Sequence, residues 1–330
     1  MKTNYITDYI QTQAGKVPRV LSLLTFRDYL GAVMVRWSIK RNNYRVKPGI
    51  YAVGTPDENS DVFITANYKL SFDHLRKNLD GLNAWILVLD TKGINVWCAA
   101  GKGTFGTTEL VNRIRLTELE KIVSHRKIIL PQLGATGVSA YQVKAETSSS
   151  PSNLAVKSNS TPINTDSLNS VTLPIEKNRG FNIIFGPVRA SDIKNFIRNG
   201  YQSTQEMRKV TFNFSDRIKL APVDFVYARY KLLFVFVFVF IFIISGVTKS
   251  GINFNLAYDK GFSAIANIFL AYITGIAITP VLLHYIPVKM FAFKGLISGL
   301  ALSFILLYFN KLGSNYFEIS SWILIISGIS

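Results

Sequence analysis

The segment Trp85-Ile86-Leu87-Val88-Leu89 is an unbroken run of five apolar residues, and the turn sequence Asp90-Thr91-Lys92-Gly93 follows it directly. A short apolar run that ends in turn residues is typical of a β-strand covered on both faces. Similar short runs at Val62–Ala66, Ile128–Leu130 and Phe181–Phe185 alternate with helical patterns. The alternation predicts an open α/β sheet in which the loops at the strand ends supply a ligand site.

Helical patterns fill the spaces between these strands. Ser71 is expected to cap one helix, Thr107–Ile114 and Leu116–Val123 carry apolar residues at helical spacing, and a further helix runs from about Ser191 to Arg198. The segment Ile94–Cys98 is expected to return as a second strand or a short extended segment.

The only cysteine of the 330 residues, Cys98, lies within Ile94–Thr104, between an apolar segment and a glycine-rich turn. One cysteine excludes an intramolecular disulfide, and it also excludes an iron–sulfur cluster or a zinc finger held by this chain alone. A lone buried cysteine is usually an inert apolar residue. Against that interpretation, the nearby glycines let the backbone approach a ligand, and the positive charge of Lys102 favours a thiolate. From these features both interpretations remain open.

Gly101, Gly103 and Gly106 have the spacing of the dinucleotide-binding fingerprint. That fingerprint also needs an acidic residue about 20 positions later, at the end of a second strand. Glu118 and Glu120 lie instead in an amphipathic stretch, which disfavours nicotinamide binding. A Gly-Lys-Ser/Thr sequence at phosphate-loop spacing is absent from the sequence, so a nucleoside triphosphatase is also disfavoured.

Long uncharged runs occupy the C-terminal part of the chain, residues 232–330. Three of them approach or exceed the roughly 20 residues that a helix needs to cross a bilayer. These runs are Leu232–Thr248, Gly261–Val288 and Met290–Asn310, the last of which is interrupted by Lys294 near its start. Ile319–Ser330 is apolar but too short to cross. The sequence therefore predicts an all-α transmembrane domain with three clear helices and a partial fourth.

Basic residues crowd the near side of the first of these runs: Arg208, Lys209, Arg217, Lys219, Arg229 and Lys231. By the positive-inside rule, the N-terminal domain lies in the cytoplasm and the chain is a multi-pass protein of the inner (cytoplasmic) membrane. The segment Met1–Asp8 also lacks the apolar core of a secretory signal. Beside hydrophobic spans, the net charge of +17 favours a membrane surface over nucleic acid.

Composition divides the chain into three parts. Residues 1–60 are predicted to be an N-terminal extension packing on the domain, residues 61–231 the α/β domain, and residues 232–330 the transmembrane helices. Within the α/β domain, residues 144–178 are rich in Ser, Thr, Asn and Pro, which predicts a disordered insertion.

The run Asn95-Val96-Trp97-Cys98-Ala99-Ala100-Gly101-Lys102 resembles the corrinoid-binding motif of the mercury-methylating corrinoid proteins, the HgcA family. That family is related to the large subunit of the corrinoid iron–sulfur protein of acetyl-CoA synthesis. The resemblance covers roughly residues 50–230 without the insertion, together with a hydrophobic C-terminal part. Beyond the cysteine motif it is carried by Asp61–Ser71, Val123–Lys127, Leu130–Val138 and Gly186–Ala190.

The resemblance implies a Rossmann-like corrinoid-binding α/β domain followed by an all-α transmembrane domain, with cobalamin or a related corrinoid as the cofactor. Cys98 would be the catalytic residue and the lower axial ligand of the cobalt, a role that suits a soft, electron-donating thiolate. The histidine pattern Asp-x-His-x-x-Gly is absent around the three histidines, His74, His125 and His284. The implied cofactor-binding residues besides Cys98 are Thr65, Ala66, Asn67, Asn95, Val96, Trp97, Ala99, Ala100, Gly101, Lys102, Gly103, Gly134, Ala135, Thr136, Gly137, Gly186 and Pro187.

The activity that the resemblance implies is transfer of a methyl group from cobalt to Hg(II), which forms methylmercury. A ferredoxin-like iron–sulfur partner would act as the reductase, and a methyltetrahydrofolate-linked methyltransferase would supply the methyl group. Membrane lipid is an expected partner, and nucleic acid is not. Two alternatives stay open. The first is a corrinoid methyl carrier of acetyl-CoA-type one-carbon metabolism with another acceptor. The second is a membrane transporter with a regulatory α/β domain, in which His284 and Lys294 could mark a transport path.

Overall fold

The computed structural model describes residues 5–37, 39, 41–148, 180–211, 213–214, 216–218, 251, 254–312 and 315–330, with four isolated positions between 233 and 240. The described residues fall into two compact units. The first lies within residues 1–33 and 40–210, and the second lies within residues 34–39 and 211–330.

A mixed sheet of seven strands forms the centre of the first unit. The strands are β1 (Ile6–Thr12), β2 (Gly15–Val20), β3 (Gly49–Val53), β4 (Val62–Ala66), β5 (Ala84–Leu89), β6 (Lys127–Leu130) and β7 (Asn182–Phe185). Their order across the sheet is β1-β2-β3-β5-β4-β6-β7. The four strands β5, β4, β6 and β7 run parallel, whereas β3 is antiparallel to β5 and β1 is antiparallel to β2.

The helices of the first unit follow the strands in the expected alternation. They are α1 (Phe26–Arg36), α2 (Lys69–Asn78), α3 (Val96–Gly101), α4 (Thr107–Leu116), α5 (Leu119–Ile122), α6 (Ala140–Ser148), α7 (Ile193–Arg198) and α8 (Gln205–Arg208). Short 3₁₀ turns occupy Arg41–Asn43, Gln132–Gly134 and Ala190–Asp192.

Apolar burial explains why the central strands were predictable. Every residue of β4 and β5 is buried, as a strand covered on both faces requires. Phe72, Leu75 and Leu79 of the α2 region pack against this sheet in the main apolar core. The predictions of strands at Val62–Ala66, Trp85–Leu89, Ile128–Leu130 and Phe181–Phe185, with helices after them, are therefore confirmed.

The strand order creates a switch point between β4 and β6. From β4 the chain moves to β5 on one side, and from β6 it moves to β7 on the other. In α/β sheets with this arrangement, ligands bind outside the carboxyl ends of the strands that flank the switch. Asn67 follows β4 at that edge, Asp90 follows β5, Pro131 follows β6 and Gly186 follows β7.

Four expectations from the sequence differ from the structure of the first unit. Ser71 does not cap a helix, because it lies inside α2, whose N-cap is Tyr68. Residues 1–60 contain β1, β2, β3 and α1, so they belong to the sheet domain instead of forming an extension on it. The segment Ile94–Cys98 is not a strand, because α3 begins at Val96. The predicted insertion 144–178 begins too early, since residues 144–148 complete α6, and residues 149–178 lie outside the described part of the chain.

The described part of the second unit includes α9 (Phe254–Ile273), α10 (Thr279–Leu282), α11 (Phe291–Tyr308) and α12 (Tyr316–Ile329), with a π-helical turn at Thr274–Ile278. In the described residues, Ser263–Leu282 and Phe291–Tyr308 are long and apolar enough to cross a membrane, and Glu318–Ile329 is a shorter apolar helix. A core helix of a soluble protein has the same length and composition, so membrane crossing stays a prediction. The first predicted span, Leu232–Thr248, lies outside the described residues except for a few positions.

Candidate functional site

The cysteine motif forms the short helix α3, which follows the turn after β5. Asn95 caps this helix: its Oδ1 accepts a hydrogen bond of 2.9 Å from the backbone N–H of Cys98. Asparagine is favoured at this position because its side chain satisfies an N–H that has no partner inside the helix. The start of α3 is therefore fixed by the residue three positions before the cysteine.

Helix α3 buries one face and exposes the other. Val96, Ala99 and Ala100 are buried, whereas Cys98 is exposed and Trp97 is 62% exposed. A thiol in this position is accessible to a ligand, and it is not the inert core residue that a lone cysteine usually is. Both exposed side chains lie on the helix that follows the carboxyl end of β5.

The turn between β5 and α3 is tied to β4 through Asn67. The side chain of Asn67 is 2% exposed. Its Nδ2 donates to Asp90 Oδ1 at 2.9 Å, and its Oδ1 accepts from the Thr91 hydroxyl at 2.9 Å and from the Gly93 N–H at 2.9 Å. Through these bonds the buried Asn67 holds the turn that leads into the cysteine helix.

Helix α4 holds the same turn from another side. Glu109 Oε1 accepts from the backbone N–H of Asp90 at 2.8 Å, and the same oxygen pairs with Arg113 Nη2 at 2.7 Å. The carboxylate is thereby fixed by its neighbour one helical turn away. No sequence motif indicates a role for Glu109, because this residue does not lie in the cysteine motif.

The glycine-bearing loop after β6 packs against the cysteine motif. A Cβ on Gly134 would overlap the Phe105 ring, and a Cβ on Gly137 would overlap the Phe105 carbonyl oxygen and lie 3.1 Å from the Cα of Ala100. Thr107 Oγ1 also accepts from the Ser139 N–H at 2.9 Å. These two glycines therefore allow close packing between protein segments, a role distinct from the cofactor contact that the resemblance implies.

Gly101 and Gly103 have the opposite surroundings. A Cβ at either position would meet no atom within 4 Å, and Gly103 has a φ of +77° that favours glycine. Open space beside α3, with small residues around the exposed thiol, leaves room for a large flat ligand to approach. The dinucleotide interpretation gains no support, because Glu118 begins the separate short helix α5 at its N-cap.

The eighteen implied site residues divide by exposure. Those that the structure buries are Thr65, Ala66, Asn67, Val96, Ala99, Ala100, Gly134, Gly186 and Pro187. Partly buried are Asn95, Ala135 and Gly137, and exposed are Trp97, Cys98, Gly101, Lys102, Gly103 and Thr136. The structure brings α3, its flanking turns and the loop after β6 together, while Gly186 packs on Ile129 and Leu130 of the neighbouring β6.

The donor atoms of the site fit a metal that a macrocycle already holds. Among the described residues, no group of three or more His, Cys, Asp and Glu side chains could hold a metal ion. The exposed Cys98 sulfur can supply one soft ligand, and a cobalt ion that a ring already holds through four ligands would need no larger ligand set from the chain. His125 does not compete for that role, because it precedes β6 at the opposite edge of the sheet and its Nε2 lies 3.0 Å from the Ser60 carbonyl oxygen.

Comparison with known proteins bears on the same segment. Residues 20–158 match the model of the CO dehydrogenase/acetyl-CoA synthase delta subunit family. The acetyl-CoA decarbonylase/synthase complex subunit gamma of Methanocaldococcus jannaschii is 38% identical over 98 residues, which are 29% of this chain and 20% of that protein. The corrinoid/iron-sulfur protein large subunit of Moorella thermoacetica is 26% identical over 142 residues, 41% of this chain and 30% of that one.

The N-terminal part of this chain is similar to corrinoid proteins. The aligned segment spans about a fifth of the gamma subunits, and the subunit of Methanopyrus kandleri, 34% identical over 93 residues, shows the same extent. The resemblance to a corrinoid protein of acetyl-CoA synthesis is thus supported for the sheet domain. The closer resemblance to the mercury-methylating family is not confirmed by these relatives and stays a hypothesis.

Proposed function

We propose that the first unit binds a corrinoid at the carboxyl edge of its parallel strands and carries a methyl group on the corrinoid's cobalt. The observation that carries the proposal is the exposed thiol of Cys98 on α3, beside the open space at Gly101 and Gly103. The match of residues 20–158 to the CO dehydrogenase/acetyl-CoA synthase delta subunit family, and the similarity of 41% of the chain to a corrinoid/iron-sulfur protein large subunit, also support it.

In this proposal the residues of the chain bind and orient the cofactor. Cys98 would supply the sulfur ligand and the exposed Trp97 would offer an aromatic surface to the cofactor, while Asn95 fixes the first turn of the helix that bears both. Thr136 and Lys102 are exposed at the same edge and offer polar contacts to cofactor side groups. When bound, the corrinoid supplies a cobalt centre that accepts and donates a methyl group.

Two acceptors follow from two different observations. The names of the relatives include acetyl-CoA decarbonylase/synthase subunits, which supports a methyl carrier of one-carbon metabolism. The cysteine motif Asn95–Lys102 resembles that of mercury-methylating proteins, which supports Hg(II) as a second candidate. Cys98 would supply an electron-donating sulfur to a bound corrinoid, and the methyl group that such a cofactor would supply suits an electrophile such as Hg(II).

The proposal extends to partners and location. A chain with one cysteine needs a separate reductant, for which an iron–sulfur protein of ferredoxin type is the candidate. A methyltetrahydrofolate-linked methyltransferase is the candidate methyl donor. The apolar helices Ser263–Leu282 and Phe291–Tyr308 would anchor the protein in the inner membrane, with the first unit in the cytoplasm.

The full chain, purified in detergent, tests the proposal by equilibrium dialysis against hydroxocobalamin. We expect about one corrinoid per chain, with weaker binding for Cys98→Ala and unchanged binding for Lys121→Met on the exposed end of α5. The methyl-loaded protein is then mixed with Hg(II), and methylmercury is measured by mass spectrometry. Absence of corrinoid binding would refute the proposal; binding without methylmercury formation would leave the carrier as the function.

A further inference from the structure

The buried side chain of Asn67 makes four hydrogen bonds to one turn. Besides the bonds of 2.9 Å to Asp90 Oδ1, the Thr91 hydroxyl and the Gly93 N–H, its Oδ1 lies 3.2 Å from the backbone N of Thr91. The partners lie 23 to 26 positions further along the chain. A side chain with this many bonds to a single segment fixes the position of that segment.

The turn needs such support because its backbone is strained. Lys92 has a φ of +60° and Gly93 a φ of +76°, so two consecutive residues lie in the left-handed region. A non-glycine residue remains there only when its surroundings hold it. Asp90 Oδ1 accepts from the Lys92 N–H at 3.1 Å, and the same oxygen accepts from Asn67.

The restraint passes on to the cysteine helix. Thr91 is fully buried: its backbone N–H donates to Asn67 Oδ1 at 3.2 Å, and its hydroxyl, which has a single proton to donate, lies 2.6 Å from the carbonyl oxygen of Ile94, the nearer of its two possible acceptors. Ile94 is followed at once by Asn95, the cap whose side chain binds the Cys98 N–H. A chain of hydrogen bonds therefore leads from the end of β4 to the residue that carries the thiol.

We propose that Asn67 and Asp90 act as positioning residues: together they set the orientation of α3 and thereby the place of the Cys98 thiol. Asn67 does this from inside the protein and does not contact the corrinoid. The proposal rests on the proposed function only in taking the cobalt as the target of the thiol. The hydrogen-bonding role itself is independent of any cofactor.

The chemistry of the pair gives discriminating variants. Asn67→Asp keeps the shape of the side chain, but its second oxygen then faces the Asp90 carboxylate, and two like charges in a buried place repel. Asp90→Asn is the matched control, since its Oδ1 still accepts from both Asn67 and Lys92. The double variant Asn67→Asp/Asp90→Asn removes the like-charge contact, but the amide at position 90 can donate to the carboxylate at position 67 only by giving up the bond from the Lys92 N–H, so it restores the turn in part.

The experiment measures backbone hydrogen exchange of the cofactor-free full chain, peptide by peptide. For Asn67→Asp we expect at least tenfold faster exchange within residues 91–100, where the Cys98 N–H lies, and unchanged exchange in β1 and β2. Asp90→Asn should stay within about threefold of the wild type, and the double variant should exchange at a rate between those of Asn67→Asp and the wild type. In cobalamin-loaded samples, the share of thiolate-ligated cobalt in the visible spectrum should fall and recover in the same order.

Two results would overturn the proposal. If residues 91–100 of Asn67→Asp exchange at the same rate as in the wild type, the bonds do not fix the turn. If the variant exchanges faster across the whole sheet, Asn67 has a general stabilising role instead. If Asn67→Asp does not fold, Thr91→Val replaces it, because it removes only the buried hydroxyl; unchanged exchange in that variant also refutes the proposal. A wild-type protein without a thiolate-cobalt signal would instead refute the proposed function, since the exchange data are recorded without corrinoid.

Discussion

Replacing Arg76 by methionine tests how the first unit joins α1 to α2. The Arg76 side chain is fully buried and pairs with Asp28 and Asp73, with N–O distances of 2.8 Å each. It also donates to the carbonyl oxygens of Leu21, at 2.5 Å, and Leu23, at 3.1 Å. Methionine has a similar length but no charge, so two buried carboxylates would keep a single cationic partner, Lys69.

The expected loss of stability is large. Removing one partner of a buried ion pair costs about 3–5 kcal/mol, because the other partner stays buried without compensation. A domain is stable by only about 5–15 kcal/mol, so Arg76→Met consumes a substantial part of that free energy. The matched control is Lys121→Met, whose pair with Glu118 is about half exposed and is worth at most about 1 kcal/mol.

The assay is hydrogen exchange of the slowest amides of β4 and β5, which report the free energy of opening the first unit alone. A loss of 3 kcal/mol raises these exchange rates by a factor of about 150 at 25 °C. Lys121→Met should raise them by about fivefold or less. If Arg76→Met also stays within about fivefold of the wild type, the reasoning from buried charge is wrong.

Three further predictions concern single residues. Gly137→Ala should displace the loop after β6 from Phe105 and lower the free energy of unfolding by about 1–3 kcal/mol, whereas Gly101→Ala, in open space, should be as stable as the wild type; equal stability of the two variants would contradict this packing. Asn95→Ala should lower the free energy of unfolding by about 1 kcal/mol through loss of the cap and should speed exchange of the Cys98 N–H, while Asn95→Ser should behave as the wild type. Equal exchange of this amide in both variants would contradict the capping role. Burial alone would raise the pKa of Asp28, but the hydrogen bonds from Lys69 and the Thr25 backbone and the charge of Arg76 lower that pKa instead. Asp28 therefore stabilises the fold above pH ~4, and this stabilisation is lost as the pH falls further. Asp28→Asn should therefore flatten the fall of the unfolding free energy between about pH 4 and pH 2, and an unchanged slope would contradict the assigned ionisation.

The central strands were predictable because β4 and β5 are continuous apolar runs, and that composition has few alternatives in a folded protein. The edge strands were not, since half of the β1 side chains face solvent and the segment therefore contains polar residues at alternate positions. The order of the seven strands also lies beyond sequence patterns, because it depends on pairing between distant segments.

The candidate site also contains one part that the sequence predicts and one part that it does not. Cys98 could be identified because its neighbours form a recognisable motif, but Ile94–Cys98 was assigned to a strand since Ile, Val and Trp favour strands. The hydrogen bond from Cys98 to Asn95 starts a helix there instead. The role of Asn67 could not be predicted, because its partners are brought together only by the pairing of β4 with β5.

The central claim is that the sulfur of Cys98 binds the cobalt of a corrinoid, and the most direct test is cobalt X-ray absorption of the cobalamin-loaded full chain. The account predicts one sulfur scatterer in the first shell of the wild type and its loss in Cys98→Ser, with Asn95→Ser as a control that keeps it. A wild-type spectrum with only nitrogen and oxygen neighbours would contradict the claim, and Cys98 would then have no part in holding the cofactor.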